Sequence, residues 1–387
     1  MKGDLLFSKA QLELKELAQK IAQEKILPRR EYYDETEEFP WDIVKELASA
    51  GLFKVYISEE YGGRGGGVTE MSLVTEELSR VCGGIALSFA GTALGSYPII
   101  LFGNGEQKKK YLPPIAKGEK LAAFGLTEAN AGSDVSAMQA QAKPVEGGYV
   151  LNGTKQWITN GGEAEIYTVV AVTDKSKGSR GASVFILEKG YEGFSFGKKE
   201  KKMGIRASAT RELIFNDCFV PRENLLGKEG GGFIVAMKTF DKTRPGVAAQ
   251  ALGIAQGALD EALAYSKKRE QFGQLIFSFQ DIQFKLADMA TQIEAARALV
   301  YSVARLIDSG AEKVSKESSM AKIFASDVAV KVTSMAVQIF GGYGYLRDYP
   351  VEKMMRDAKI TQIYEGTNEI QRNVIYLNLL KEIASRK

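Results

Sequence analysis

The sequence predicts an α+β fold in three successive parts: an N-terminal α-helical domain, a middle antiparallel β domain and a C-terminal helical bundle. Three observations carry this. Apolar residues recur at helical spacing in the first third, short β-branched runs separated by Gly and Ser fill the middle, and the helical period returns after Gly230-Gly231-Gly232 and holds to the end. The expected boundaries are 1–120, 121–229 and 230–387.

In the first part, Leu14, Leu17, Ala18 and Ile21 share one helical face, and Pro28 is expected to end that element. Trp41, Val44, Leu47 and Ala48 make a second stripe. Tyr61–Gly67 holds five glycines in seven residues and reads as a loop. Met71 to Arg80 resumes the helical period, Cys82 to Ile100 is apolar and uncharged, and Glu106 to Lys110 is a solvated basic stretch. In the middle part, Asn152-Gly153 predicts a hairpin turn, and Ile166–Val172, Ala182–Leu187 and Thr210–Phe219 predict strands. Helical stretches then cover 233–240, 249–269, 280–309 and 314–340, lengths suited to antiparallel packing.

The chain has 387 residues, 45% of them hydrophobic and 26% charged, as in soluble globular proteins. Fifty-one Lys and Arg against 48 Asp and Glu leave a net charge of +3, too even to imply a nucleic-acid or membrane partner. No signal peptide is recognisable and no apolar run is expected to span a bilayer, so the expectation is a cytoplasmic protein. Two distant cysteines, Cys82 and Cys218, fit a reduced compartment. The chain contains no histidine at all, which removes Ser-His-Asp and Cys-His chemistry and argues against a catalytic zinc, since two scattered cysteines cannot supply the remaining soft ligands. Acid–base work then falls to a carboxylate, Lys, Tyr or Cys, and redox work needs a bound cofactor. Neither a G-x-G-x-x-G nor a P-loop pattern occurs.

Several segments carry chemistry, each with a plainer rival reading. Leu126 to Asp134 (LTEANAGSD) combines hydroxyls and small residues that let backbone approach a ligand, or is a surface loop. Trp157-Ile158-Thr159 offers a flat ring beside a hydroxyl, or a core Trp. Phe240 to Pro245 (FDKTRP) places Arg244 at an expected helix break, where it grips phosphate or pairs with Asp241. Arg269 to Gly273 (REQFG) ends a helix with a cation, which the helix dipole also favours. Glu365, preceded by Ile363 and Tyr364 and followed by Gly366, is the leading candidate for a base: an apolar setting strips hydration from a carboxylate and raises its pKa. Its rival role is at a helix start, with Thr367 as cap.

Taken together, LTEANAGSD, QWITNG, FDKTRP, REQFG, QIFGGYG, YPVEKMMRD and RDAKITQIYEGTNEIQR resemble the acyl-CoA dehydrogenase family, in order and in register over essentially the whole chain. The resemblance implies a C-terminal bundle of four helices, a homotetramer, and FAD held between the β domain and the bundle. Phe124, Leu126, Thr127, Ser133, Trp157, Ile158 and Thr159 would cradle the flavin, with Thr367, Asn368 and Glu369 following the base. Arg269, Phe272, Gln280, Gln338, Ile339, Phe340, Gly341 and Gly342 would bind the adenine-diphosphate end of a neighbour's cofactor. Ser133, Asp241, Lys242, Thr243, Arg244, Tyr364 and Gly366 would hold the acyl-CoA. Glu365 would take the α-proton while the β-hydrogen leaves as hydride to flavin N5, and electrons would pass to an electron-transfer flavoprotein.

Some relatives carry the base on another helix, at a position the resemblance aligns with Gly253. Other readings on the same fold are an enoyl-CoA reductase direction and an acyl-CoA oxidase-type activity. Cys82 to Pro98 would line the acyl cavity through Ile85, Leu87, Phe89 and Leu94 with Ser88, Thr92 and Ser96, and its lack of charge predicts an uncharged acyl group. Arg80 is the nearby cation that could overturn that expectation.

Overall fold

The computed structural model describes residues 7–385. Helix α1 (Lys9–Ile21) opens on Ser8, whose hydroxyl accepts the Gln11 N–H at 3.3 Å while Gln11 Oε1 accepts the Ser8 N–H at 3.0 Å. Pro28 does not end the element. The chain changes pitch first, through a π turn (Ala22–Ile26) and a 3₁₀ turn (Leu27–Arg29), and continues as α2 (Arg30–Thr36). Proline falls at the start of a short turn, where its missing N–H leaves nothing unpaired. Helix α3 (Trp41–Ser49) buries Ile43, Val44 and Leu47, while Trp41 stays partly exposed and donates its indole N–H to Glu163 at 3.1 Å.

The glycine-rich loop delivers the chain to α4 (Val68–Val81). There Glu70 accepts the Gly67 N–H, and Asp308 accepts the N–H groups of Val68 and Thr69, all at 2.8 Å. Helix α5 (Gly83–Phe102) follows almost at once, then α6 (Gly105–Ala116), capped by Asn104. Contrary to expectation, the chain does hold apolar helices of bilayer-spanning length. The α5 segment and residues 315–345 are each long and apolar enough to cross a bilayer by length and composition. Helix α5 is apolar all round because it runs through the core, with 72% of its window buried.

The middle part holds strands β1 (Ala122–Gly125), β2 (Gln141–Val145), β3 (Gly148–Thr159), β4 (Ile166–Val172), β5 (Ala182–Glu188), β6 (Phe194–Phe196), β7 (Thr210–Pro221) and β8 (Leu225–Leu226). They form one sheet in the order β6-β7-β3-β2-β4-β5-β8, with β1 beside β4. Most pairs are antiparallel, but β1 and β2 meet β4 in parallel, so the sheet is mixed rather than purely antiparallel. β1 enters from the helical part with α5 lying across it: a Cβ on Gly95 would stand 2.4 Å from the Ala123 nitrogen.

Asn152-Gly153 is not the hairpin turn. The β2–β3 turn is Glu146-Gly147, with Gly147 at φ 79°. Asn152-Gly153 is a bulge inside β3, where Gly153 takes φ 134° and a Cβ would lie 2.7 Å from Ala140 Cα.

The last part begins with α7 (Gly232–Ser266), 35 residues long and unbroken at Pro245. FDKTRP therefore lies inside a helix, not at a break. Proline at 245 cannot donate to the Asp241 carbonyl, and the Ser318 hydroxyl takes that role at 2.7 Å. A two-strand hairpin follows, β9 (Glu270–Gln271) and β10 (Gln274–Leu275), turning at Phe272-Gly273 with φ 51° and 72°. Arg269 thus stands beyond the helix end. Then come α8 (Gln280–Asp308), α9 (Ser315–Phe340), α10 (Pro350–Ile360) and α11 (Asn368–Ser385). Helices α7, α8, α9 and α11 make the bundle, and α4 and α5 also pack on α7, so the two helical parts share one core.

Candidate active site

A cavity of about 830 Å³ opens between the sheet, α5, α7 and the segment before α11. Its wall on the sheet side comes from Phe124, Leu126, Thr127, Ser133, Trp157, Ile158 and Thr159. The local backbone explains why these residues face it. A register shift in β3 between Lys155 and Ile158 turns Trp157 out at φ 59°, leaving its ring 55% exposed. Beneath it, Lys155 is fully buried and donates to the Leu126 carbonyl at 2.9 Å and to Glu128 Oε1 at 2.7 Å. Glu128 also accepts the N–H groups of Gln139 and Ala140, at 2.6 and 3.0 Å. The Thr127 carbonyl accepts the Gln156 N–H at 2.8 Å. The carbonyls of Leu126 and Thr127 are thus spent on protein partners while both residues line the cavity.

Glu365 lines the same cavity from the segment before α11. Burial pushes its carboxyl up from 4.5 to about 7, opposed by the Thr243 hydroxyl and by the charges of Arg244 and Lys322. Thr243 donates to Glu365 Oε2 at 2.8 Å. Glu365 and Gly366 are both left-handed, at φ 49° and 88°, a strained pair for a non-glycine residue. Their carbonyls are gripped from three helices. Arg244 Nε reaches the Glu365 carbonyl at 3.5 Å, Gln371 Nε2 reaches both at 3.1 and 2.9 Å, and Lys322 Nζ reaches Gly366 at 2.9 Å. The Tyr364 hydroxyl donates to Gln250, whose amide in turn donates to the Gly83 carbonyl at 3.0 Å. Thr367 caps α11 by accepting the Ile370 N–H at 3.2 Å, so the helix-start reading holds for this segment, directly after Glu365.

Most expected residues meet here, and several do not. Thr243, Arg244, Tyr364, Gly366 and Thr367 line the cavity with Glu365. Arg244 is buried and turned inward, paired with Asp241 at 3.6 Å, so it supports the Glu365 loop instead of offering a free fork to phosphate. Asp241 is buried, bonded to Ser315 at 2.7 Å, and neither it nor Lys242 lines the cavity. Asn368 is a buried pin: it accepts from Lys322 at 2.9 Å and donates to Ser326 and Asp327 at 2.9 and 2.8 Å. Glu369 is exposed on α11, off the cavity. Both lie beyond the carbonyl cage, where helical geometry has already turned the chain away.

From the expected acyl-lining set, only Leu87 and Leu94 reach the cavity, joined by Ala90 and Gly91. Ile85 and Phe89 point into the core, Phe89 against Phe53 and Tyr56, and Ser88, Thr92 and Ser96 bond back to their own helix. A 3.6-residue period can show only one face of α5 to the cavity. Arg80 does not enter it either, being paired with Asp260 at 2.5 Å. The Gly253 position is turned away as well: a Cβ there would meet the Glu76 carbonyl at 2.2 Å. The α7 position that faces the Glu365 carboxylate is Thr243.

A second cavity, of about 480 Å³, is lined by Arg269, Ile339, Phe340, Gly341 and Gly342 with Tyr265 and Tyr343. The Arg269 guanidinium lies 5.2 Å over the Tyr343 ring. Gln280 and Gln338 are exposed near it but do not line it, and Phe272 is 93% exposed at the hairpin tip. The two cavities have no lining residue in common. Sequence reasoning missed Lys322, Gln250, Gln371 and Lys155. Lys322 left a trace, a lone lysine on the same α9 face as buried Ser319, Ser326 and Ala329.

Comparison with known proteins agrees with this architecture. The chain matches the acyl-CoA dehydrogenase N-terminal domain over residues 8–119, the middle domain over 123–218 and the C-terminal domain over 230–380. It is 50% identical over 374 residues to the short-chain-specific acyl-CoA dehydrogenase of Clostridium acetobutylicum, covering 96% of this chain and 98% of that one. It is 46% identical over 370 residues to a 3-(aryl)acrylate reductase of Clostridium sporogenes, covering 95% and 98%. Among solved structures, butyryl-CoA dehydrogenase from Megasphaera elsdenii superposes with a TM-score of 0.95 at 50% identity, covering 97% and 99%. A chain in the structure of the electron transferring flavoprotein of Acidaminococcus fermentans does so with 0.95 at 53%, covering 97% and 98%. The chain belongs to the acyl-CoA dehydrogenase family of oxidoreductases.

Proposed function

We infer that this protein is a cytoplasmic, homotetrameric FAD enzyme that removes the α- and β-hydrogens of a short, uncharged acyl-CoA thioester and passes the electrons to an electron-transfer flavoprotein. The observation that carries this is Glu365, a desolvated carboxylate that lines the same cavity as Trp157 and Thr159. Its proton affinity near neutrality suits a general base. The residues fit a flavin: an aromatic face at Trp157, a hydroxyl at Thr159, and backbone at Leu126 and Thr127 whose carbonyls are engaged elsewhere. Bound FAD supplies the hydride acceptor.

The chain's own residues do the rest. Thr243 aims the Glu365 carboxylate, and the cage of Arg244, Lys322 and Gln371 turns the Glu365 and Gly366 carbonyls inward. That orientation frees the Glu365 N–H for the thioester oxygen, where charge develops as the α-proton leaves. Leu87, Ala90, Gly91 and Leu94 give the acyl chain an uncharged wall, worth about 0.8 kcal/mol per buried CH₂. The similarity to short-chain-specific and butyryl-CoA dehydrogenases supports a short chain. The likeness to a chain in an electron transferring flavoprotein structure supports that partner.

The test is Glu365→Gln. It is expected to fold, retain FAD and bind butyryl-CoA, yet bleach the flavin roughly 10²–10⁴-fold more slowly under anaerobic conditions. Near-native bleaching would assign the base elsewhere. The similarity to an acrylate reductase favours one second reading, that the same residues return a proton to the α-carbon in the reducing direction. A reduced electron donor with crotonyl-CoA, compared with butyryl-CoA and an oxidised acceptor, measures which direction runs faster.

A further inference from the structure

We propose that Lys322 is a positioning residue for the dehydrogenation step, holding the strained Glu365–Gly366 peptide through the Gly366 carbonyl and placing a positive charge behind the Glu365 carboxylate. The inference rests on Glu365 being the base. Lys322 is fully buried on α9, among Ser319, Ala325 and Ser326. Its ammonium has two hydrogen-bond acceptors, the Gly366 carbonyl and Asn368 Oδ1, each at 2.9 Å. Among the described residues it forms no ion pair. A buried ammonium without a carboxylate partner is expensive, and packing alone would be served as well by Met or Leu.

Glu365 stands on the loop before α11, Asp327 on α9 and Glu369 on α11, all drawing on the ammonium, while Arg244 on α7 repels it. Arg244 is itself paired with Asp241. Asp327 is already engaged by Asn368, Gln362 and Arg372, at 2.8, 2.7 and 3.4 Å. Glu369 is solvent-exposed. That leaves the Glu365 carboxylate, which forms no ion pair among the described residues, as the one on which the Lys322 charge chiefly acts. Burial weakens the hold of Lys322 on its proton, bringing it down from 10.5 to about 7, and the Glu365 charge opposes that weakening, so the two groups titrate over the same range and each steadies the other's charged form. The reciprocal effect favours the ionised base.

Lys322→Met and Lys322→Gln, both loaded with FAD, separate the two contributions. Flavin reduction by butyryl-CoA is followed anaerobically between about pH 6 and 9, alongside binding of 2,2-dimethylbutyryl-CoA, which has no α-hydrogen to lose. Lys322→Met is expected to reduce roughly ten-fold more slowly at neutral pH, with the midpoint of its rate–pH curve moved up by about one unit, and to bind the inert thioester within about three-fold of the native enzyme. Lys322→Gln keeps a donor for the Gly366 carbonyl, so its rate at high pH recovers while its midpoint stays raised.

A native midpoint in either variant overturns the proposal, as does a rate loss matched by an equal loss of thioester affinity. If Lys322→Met gives no folded flavoprotein, the midpoint of Lys322→Gln decides alone. Glu365→Gln run in parallel keeps the failures apart. Native reduction by that variant removes the base and Lys322 with it, whereas an inert Glu365→Gln beside a native-like Lys322→Met removes only Lys322.

Discussion

At the scale of single residues, Glu365 is governed by two opposed effects. Burial favours its neutral form, while Thr243, Arg244 and Lys322 favour the charged one, and the carboxyl settles at about 7 instead of 4.5. In its proposed role as base the carboxyl must be ionised, so the limiting rate of flavin reduction is expected to rise through about pH 7 and to fall about ten-fold per unit well below it, as stopped-flow bleaching would read. The same shift has a consequence for stability. A pKa raised in the folded state contributes stability that is complete below about 4.5 and lost as pH rises through about 7. Glu365→Gln is therefore expected to unfold at higher urea than the native protein at about pH 8, and the difference should shrink toward pH 5. Equal midpoints at both pH values would mean that the carboxylate is not strained by its setting.

At the scale of elements, two contacts hold the site together. Proline at 245 strips a hydrogen bond from α7, and Ser318 on α9 replaces it. Ser318→Ala is expected to cost about 1–3 kcal/mol by leaving the Asp241 carbonyl unpaired in the core. In a Pro245→Ala background, where an N–H is restored, the same change should cost much less; equal costs in a urea double-mutant cycle would refute the replacement. The second contact is α5 on β1. Gly95 lets the helix touch the Ala122–Ala123 backbone, and any side chain there meets main-chain atoms within 3.0 Å. Gly95→Val is expected to push β1 off α5 and, through Phe124 and Leu126, to lose FAD before it loses helical circular dichroism. Retention of stoichiometric FAD would show that the contact does not set the flavin wall.

At the scale of the whole molecule, the chain presents two separate cavities, which the proposed homotetramer would join as half-sites. The cavity around Trp157 and Glu365 and the cavity around Arg269 and Gly341 share no wall. Helix α11 packs on α9 and leaves Tyr376, Leu377, Leu379, Leu380 and Ile383 exposed. A neighbour covering that face is the simplest way for one FAD to span both kinds of half-site. Leu380→Glu is expected to lower the mass measured by light scattering and to release FAD in the same concentration range; a FAD-loaded monomer would refute the shared site. The cavity wall from α5 carries no charge, so butyryl-CoA is expected to outpace glutaryl-CoA by ten-fold or more, about 1.4 kcal/mol. The reverse preference would mean that a cation in the lining, such as Lys202 or Arg356, reaches the distal carboxylate.

The sequence by itself determined the order of helical, β and helical parts, because periods of 3.6 and 2 are written within a dozen residues. It also singled out Glu365, Trp157 and Thr159 from the chemistry of their own segments, and these three line one cavity. It misread Pro28, Pro245 and Asn152-Gly153, since a proline or glycine signals a break only when nothing distant compensates for it. Ser318 compensates for Pro245 by bonding the Asp241 carbonyl, 77 residues away in the chain. Tertiary structure alone decided that β1 runs parallel to β4, that only one face of α5 lines the cavity, and that Arg244 turns inward. It also brought Lys322 to the Gly366 carbonyl across 44 residues and Lys155 to the Leu126 carbonyl across 29. A buried charge has no local signature, because the acceptors that make it tolerable come from elsewhere in the chain and meet it only once the fold has closed.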